Sequence, residues 1–509
     1  MAEYLEAASR ELEIDVGSVA ITGILSKSLD SSDTEQFYYI ISLVVRTVEP
    51  YENSRLFPEY TEKTIAKRKT INSKTRPLIV GFGPAGMFAA LELIDYNIQP
   101  IIFERGKKIE ERSIDVQKFI KERQLDPESN IQFGEGGAGS YSDGKLFSRR
   151  NNNSSYINQV LRTFVKFGAP GEIEYMSKPH LGTDVLCRIV RNIRRYLLDR
   201  GAEIHYSAKM TDILISAGTA SGIKINGEKD YLSPAIFIAS GHSARDTYEM
   251  LGKNNIGLEP KAISVGVRIE HPVETINLMR YGNKYKEYNG IGAATYSLNY
   301  TNRKIRRGVY TFCMCPGGEV INGSSEPGML VVNGMSYSNR SSPFSNAALV
   351  VSCHTDDYPS SSPLAGLEFQ KKIERNSYTA GAGRWAVPAQ NLLDFLGETR
   401  STDLNNNSFK MGAVAADIRE IIPEFVANEL VTAFTKWKND VPLFVSNEAI
   451  LLGAETRTSS PVRIKRNENY ESVNVKNIYP IGEGSGYTGG ITSSAADAIK
   501  AIEKYVLSL

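Results

Sequence analysis

"RPLIVGFGPAGMFAALELIDYNIQPIIFERG", Arg76 to Gly106, decides the fold. An apolar run of strand character ends in Gly81-Phe-Gly83-Pro84-Ala85-Gly86. A helical pattern follows, and a second apolar run, "PIIFER", brings in Glu104 and Arg105. Strand, glycine turn, helix and strand therefore stand in register. Gly81 permits the tight turn, Gly83 lets the backbone approach a pyrophosphate, and Gly86 lets the helix pack on the strand, with the helix N-terminus facing the anion. Glu104 stands where an acidic residue accepts hydrogen bonds from adenosine ribose hydroxyls and repels a 2′-phosphate, which disfavours NADP. The stretch reads as a dinucleotide site, without choosing between NAD and FAD.

A second glycine loop makes that choice. "IGEGSGYTGGITSSAADAI" lies near the end of the chain and again follows an apolar run and precedes a helical one. FAD needs such a second loop, because its ribityl chain and isoalloxazine extend beyond the adenine half. Glu483 is the carboxylate for the ribityl chain. Gly489, Gly490 and Ile491 lead into a helix whose N-terminus can face the flavin N1–C2=O edge and stabilise negative charge there. The alternative is a glycine turn of structural value only.

With "IASG" (Ile238 to Gly241) in place of an A-T-G strand end, and Gly482-Glu483 where Gly-Asp is usual, the chain resembles the glutathione-reductase-type FAD flavoproteins. A closer resemblance covers nearly its whole length. "GEGGAGSYSDGKL", "KPHLGTD", "SGHSARDTYEML", "VGVRIEHP", "FCMCPGGEV", "NGMSYSNR", "ETRTSSPVRI" and "GEGSGYTGGI" are similar to blocks of the FAD-dependent, or NAD(FAD)-utilising, dehydrogenases. That resemblance implies FAD and redox chemistry but no settled substrate. The expected fold class is α/β, with a split Rossmann-like FAD-binding domain at residues 75–260 and 465–509. A mostly β substrate domain (261–464) is inserted in it, and a small α+β accessory domain (1–74) precedes it. The expected FAD set comprises Gly81, Gly83, Pro84, Ala85, Gly86, Glu104, Arg105, Gly136, Gly137, Ser142, Lys209, Met210, Ser240, Gly241, Gly482, Glu483, Gly489, Gly490 and Ile491.

Composition leaves room for this and excludes little else. At 509 residues, 41% hydrophobic and 23% charged, the chain can bury a full core in roughly three domains. A net charge of +1 offers no global field for nucleic acid or membrane. The basic stretches "KTIAKRKTINSKTR" and "NRKIRRG" read as a linker and a surface turn. The acidic, amphipathic N-terminus lacks signal-peptide character, "FYYIISLVV" is too short to span a bilayer as a helix, and four cysteines make no disulfide framework. The expectation is a cytoplasmic protein with a small-molecule partner and no metal.

Three places carry candidate redox chemistry. In "FGEGGAGSYSDGKLFSRR", the glycines and the hydroxyls of Ser140 and Ser142 suit a phosphate and flavin cradle. Lys145 either stands near flavin N5 or O4 or is a solvated loop lysine. His180 precedes a helix expected to be capped by Thr183 or Asp184, and is a general acid or base or a packed loop residue. Arg457 and Arg463 suit bidentate binding of a substrate carboxylate or phosphate; the alternative for Arg457 is an internal ion pair, for example with Glu455. Gln390 is a further pocket candidate. His242 supports the cofactor loop, while His205, His271 and His354 offer less.

"YTFCMCPGG" places Cys313 and Cys315 on one face of a strand, about 6.6 Å apart at the Cα atoms in extended chain. That is near the limit for a disulfide, and zinc would need two further ligands. Buried thiols and a redox dithiol remain. No C-x-x-x-x-C follows the first βαβ unit and no second strand-flanked G-x-G-x-x-G occurs. A disulfide reductase and a dedicated NAD(P)H domain are thereby disfavoured, so NADH or NADPH would visit only transiently. The reading is a FAD-dependent oxidoreductase exchanging a hydride with a small organic substrate, with Lys145, His180 and Arg457 as the reacting and positioning groups. A flavin monooxygenase and a flavin-bearing RNA-modification or redox-sensing scaffold are the alternatives.

Overall fold

The computed structural model describes residues 1–48, 57–61, 68–146, 154–288 and 290–509. Part of the Lys-rich linker stretch, and the tail of the "FGEGGAG" loop beyond Leu146, lie outside the described residues.

The amphipathic N-terminal pattern forms α1 (Ala2–Leu12), and the two apolar runs after it pair as the antiparallel hairpin β1 (Val19–Asp30) and β2 (Tyr38–Thr47). This hairpin is tied to the rest of the molecule. The Lys27 N–H donates to the Tyr175 carbonyl at 2.8 Å, Ser177 donates back to Lys27 at 2.9 Å, and Phe37 packs edge-on against Tyr281 and Tyr288.

β3 (Leu78–Val80), α2 (Pro84–Asp95) and β4 (Ile101–Phe103) follow, then α3 (Ile109–Glu122), α4 (Ser154–Lys166), α5 (Thr183–Leu198) and β5 (Glu203–His205). β6 (Met210–Ser216), β7 (Thr219–Ile225) and β8 (Lys229–Leu232) make a three-stranded antiparallel sheet, after which β9 (Ile236–Ile238) rejoins β3. α6 (Arg245–Lys253) and β10 (Leu258–Pro260) lead out to the second half of the fold.

There the chain forms β11 (Ile263–Pro272), α7 (Val273–Tyr281), β12 (Asn299–Asn302), β13 (Arg307–Cys315), the hairpin β14 (Glu319–Asn322) and β15 (Val332–Met335), and β16 (Phe344–Cys353). α8 (Ala365–Ala380), β17 (Val387–Asn391), α9 (Leu392–Leu396), β18 (Ala413–Ala415), α10 (Glu424–Asp440) and β19 (Ile450–Glu455) complete a seven-stranded sheet of order β12-β13-β16-β11-β19-β17-β18. The sheet is covered on both faces, and the two-residue period of β19 shows it. Leu451 joins the cluster of Val426, Leu430 and Phe434 from α10, whereas Ile450 and Leu452 join Val320 and Val332 of the β14–β15 hairpin. Burial on both faces leaves β11 buried at every position but its last, its polar and charged side chains included.

β20 (Val462–Ile464) pairs with β10, and β21 (Ile478–Pro480) followed by α11 (Ile491–Leu507) returns to the first sheet. That sheet has the order β21-β9-β3-β4-β5, and every pair in it is parallel. The first and last strand–loop–helix segments thus belong to one layer.

One detail differs from expectation: helices α7 and α9 interrupt the region read as mostly strand. Pro423, which has no N–H to continue a helix, sits at the N-cap of α10.

Candidate functional site

Parallel register aligns the strand ends. Val80 lies opposite Ile238 and Phe103, and Ile238 lies opposite Pro480. The loops beginning at Gly81, Glu104, Ala239 and Ile481 therefore open at one carboxyl edge, where α/β sheets bind their ligands. A Cβ at Gly86 would stand 1.9 Å from the Gly81 carbonyl oxygen, so α2 is pressed onto the turn. Gly482, at φ 70°, leaves no room for a side chain against Ala85 of the first turn of α2, 2.5 Å away.

At the Glu104 end the carboxylate is buried. Its Oε2 accepts from Phe82 N–H at 2.8 Å, and its Oε1 accepts from Gly106 and Gly134 at 3.0 Å each. One acceptor position on Oε2 remains for a ribose hydroxyl. Arg105 forms a bidentate pair with Asp246 at 3.0 and 2.9 Å and bonds Glu128 at 2.8 Å. Lys209 reaches Glu128 and Asp246 at 3.0 and 2.5 Å. Arg105, Glu128 and Lys209, with Gly106, Ser207 and Thr211, line a cavity of about 380 Å³. Met210 is buried in the core beside it.

The "FGEGGAG" loop is held by a residue the sequence did not reveal. Arg112 of α3 is fully buried. Its guanidinium donates to the carbonyls of Asn130, Ile131, Gly134, Glu135 and Gly137. Five carbonyls aimed at one cation draw the loop around it. Ser142 donates to the Gly139 carbonyl and accepts from Gly144 N–H, so its hydroxyl is spent within the loop. Ser140 Oγ is buried without a partner.

At the other end, Glu483 stands between two loops. Its carboxylate lies 3.4 Å from His242 Nδ1 and accepts from the Gly490 N–H; burial opposes its charge, but these partners hold its pKa below the usual value. His242 therefore braces Glu483, beside Ser240 and Gly241. Asp497 of α11 accepts from Gly482 N–H at 2.9 Å and pairs with Arg466. Thr492, in the first turn of α11, donates to the Leu146 carbonyl at 2.8 Å. That bond carries the closing helix to Lys145.

Lys145 and His180 are paired across an isolated antiparallel bridge, with Leu146 N–H on the Pro179 carbonyl at 3.0 Å and Leu181 N–H on the Gly144 carbonyl at 2.9 Å. The buried Asp143 carboxylate lies 2.8 Å from Lys145 Nζ and 2.8 Å from Arg340, and also accepts from Ser336. Lys145 Nζ donates to the Met314 carbonyl, between Cys313 and Cys315. Burial disfavours the Lys145 charge, yet Cys315, Cys313 and Asp143 outweigh it and raise its pKa. Burial, with Arg340 adding to it, pushes His180 down to about 4. His180 is thus a neutral imidazole at pH 7, suited to accept or relay a proton but not to act as a charged acid. Its Nδ1 is buried without a partner.

Helix α5 is capped by Gly182, not by Thr183 or Asp184. Asp184 instead accepts from Ser338 N–H at 2.9 Å and from its hydroxyl at 2.7 Å. Arg457 lies apart from Lys145 and His180. It pairs with Glu374 at 3.1 and 2.9 Å and with Ser325 at 2.7 Å, while Arg245 holds the other side of Glu374 at 2.7 and 3.0 Å. Its ion partner is Glu374 rather than Glu455, which belongs to Arg268. Arg463 pairs with Glu259 at 2.6 Å. Gln390 is buried and spent on Thr399 and Ile418.

The strand holding the cysteines is irregular: Cys313 has φ 45°, and the β13–β16 register slips between Phe312 and Cys315. All four cysteines are free thiols, Cys315 buried and Cys313 half-buried.

Ser140 Oγ, His180 Nδ1 and His242 Nε2, buried and unpartnered, all lie on loops of this edge. Together with the backbone-only surface of the glycine turns, they fit a long polar ligand with a phosphate centre. Among the described residues, no group of three or more His, Cys, Asp or Glu stands together for a metal, and no helix is long and apolar enough to cross a membrane.

Residues 262–458 match the C-terminal domain-like family of FAD-dependent proteins. An uncharacterized protein of Clostridium beijerinckii is 44% identical over 453 residues, covering 88% of this chain and 84% of its own length. Solved structures similar to this chain include FqzB (11% identity, TM-score 0.36, 86% of this chain and 77% of that one). The flavin-dependent brominase Bmp2 is also among them (12%, 0.37, 85% and 79%).

Proposed function

The chain belongs to the same family as the Clostridium beijerinckii protein, with the C-terminal domain of FAD-dependent proteins at its centre, and we propose that it is a FAD-dependent oxidoreductase exchanging a hydride with a small organic substrate. The observation that carries this reading is the meeting of the Gly81, Ala239 and Ile481 loops at one sheet edge, with Glu104 at one end and Glu483 at the other. In this reading these loops belong to a split, glutathione-reductase-type FAD domain over residues 75–260 and 465–509.

FAD, when bound, supplies two-electron redox chemistry. In this reading Glu104 holds the adenosine ribose through its remaining acceptor position, beside the cavity of Arg105 and Lys209. The N-terminus of α2, bared by Gly83, holds the pyrophosphate. Glu483, kept anionic by His242, holds the ribityl chain, and the N-terminus of α11 faces the pyrimidine edge. Lys145, kept cationic by Asp143, offers positive charge to an electron-rich ring or substrate. The neutral His180 accepts or relays a proton beside it. Arg457 braces the segment before β20 through Glu374 and does not enter the chemistry. The substrate lies between the parallel sheet and the domain at 261–464, and NADH or NADPH is a transient donor.

Purified protein should carry FAD or take it up on reconstitution, seen as the flavin visible spectrum, and anaerobic NADH, NADPH or a metabolite should bleach it. Protein that binds no FAD under these conditions overturns the reading.

A further inference from the structure

The N-terminal hairpin carries no chemistry of its own, yet its contacts lead to the two residues that the FAD reading places at the reacting centre. Successive residues of an antiparallel strand turn their backbone groups alternately toward the partner strand and away from it. Lys27 stands opposite Ile41 of β2, and its N–H and carbonyl both face away. The N–H donates to the Tyr175 carbonyl at 2.8 Å, and the carbonyl accepts from Ser177 N–H at 2.9 Å. These two bonds make a parallel bridge between Lys27 and Met176. Ser177 lies three residues before His180, which is itself bridged to Lys145 through the Pro179 and Gly144 carbonyls. Two bridges therefore run in series, from β1 to Met176 and from His180 to Lys145.

The tip of the same hairpin is seated on the other half of the molecule. Phe37, half-buried, packs edge-on against Tyr288 and Tyr281, with ring centroids 4.9 and 5.6 Å apart. With Leu29 it packs against the apolar cluster of β11, β16 and α10. Thr34 sits against Gly282, where an added Cβ would stand 3.0 Å from the threonine Cβ. Glu35 pairs with Lys284 at 2.6 Å, an exposed pair that adds little, so the aromatic contact carries the seat. Lys145 and Asp143 reach this same half, at the Met314 carbonyl and at Arg340. The hairpin thus bridges the two halves that Lys145 and Asp143 also bridge.

We propose that the N-terminal hairpin is a clasp that positions Lys145 and His180 against the 261–464 half, with the Lys27 backbone and the Phe37 ring as its two positioning groups. Lys27 acts through the bridge to Met176, and Phe37 acts by fixing the hairpin to the socket of Tyr281 and Tyr288. Lys145 and His180 both stand on irregular segments outside the main sheets. Such segments open readily unless neighbouring elements hold them, so fixing Met176 restricts both residues. The inference rests on the FAD reading for what Lys145 and His180 act upon, and not for how they are held.

The test compares the FAD-reconstituted full chain with three full-length variants. K27P removes the outward N–H and spares the β1–β2 ladder, which does not use it. K27A keeps both backbone bonds and loses only the side chain, with its bond to Tyr4. F37A empties the contact with Tyr281 and Tyr288. Hydrogen exchange at the Ser177, Leu181 and Leu146 amides should be at least about tenfold faster in K27P and F37A than in the parent, and unchanged in K27A. The second readout is the imidazole titration of His180, followed by nuclear magnetic resonance. Burial, then Arg340 and Lys145, hold this ring neutral against the opposing pull of Asp143 and Asp184. A loop released from the clasp should let its titration rise by at least about one pH unit toward the ordinary histidine value. F37A carries the test by itself if K27P does not fold. Either readout unmoved in the folded variants, or moved equally by K27A, would overturn the proposal. Neither readout needs the flavin, so the two readings fail separately. A loosened bridge in protein that refuses FAD sinks the oxidoreductase reading alone, and retained FAD with an unmoved bridge sinks this one alone.

Discussion

At the scale of single residues, the site contrasts groups whose role a motif announces with groups that tertiary contacts recruit. Glu104 and Glu483 were legible, since each stands at a fixed place after a strand end. Arg112 was not: an arginine within an amphipathic helix reads as solvated until five carbonyls are seen to converge on it. Replacing it leaves those buried acceptors unpaired. R112M should lower the unfolding free energy by about 3 kcal/mol and cut FAD retention at least about tenfold. Urea denaturation and flavin content of the purified variant check both; a loss below about 1 kcal/mol would mean that the loop holds itself. Asp143, Arg268 and Arg340 were missed for the same reason as Arg112. Their partners lie far along the chain, so no local pattern marks them.

Among the elements, α2 and β11 carry the clearest consequences. G86A puts a methyl where the Gly81 carbonyl oxygen sits at 1.9 Å, so helix and turn must separate. The variant should lose FAD binding and be destabilised by about 1–3 kcal/mol, as FAD titration and thermal unfolding will show. A variant that binds FAD as the parent does would refute the close approach. In β11, burial pushes His271 down to about 4, below the roughly 6.5 of an unfolded imidazole. Between those values the unfolded chain binds more protons than the native one, so this group costs stability as pH falls from about 6.5 to 4. The loss reaches at most about 3 kcal/mol. The neighbouring Glu270, pushed up to about 7 by burial, acts oppositely, its contribution being lost as pH rises from about 4.5 to 7. The difference between wild type and H271Q isolates the histidine. Wild type should lose ground to the variant on acidification, and equal slopes for the two would contradict it. The helices α7 and α9 escaped a period-based reading because both are short and partly buried, giving too few turns for an amphipathic pattern to repeat.

For the molecule as a whole, the ligand edge is shared between segments about four hundred residues apart. Binding and global stability should therefore move together. FAD at about 100 times its Kd should raise the unfolding free energy by about 2.7 kcal/mol, read as a single shifted transition in calorimetry. Two transitions, with only one sensitive to FAD, would show that the halves fold independently. The sequence by itself determined the glycine turns, the acidic residues that follow strands, and the recurrence of the strand–loop–helix pattern at the end of the chain. These are local patterns, dictated by backbone sterics and hydrophobic period. The tertiary structure decided that Lys145 meets His180 and the Met314 carbonyl, that Arg457 is bound to Glu374, and that Arg112 gathers its loop. Such contacts depend on how strands stack and where a bulge turns a side chain, and these follow from packing the whole core rather than from any one segment.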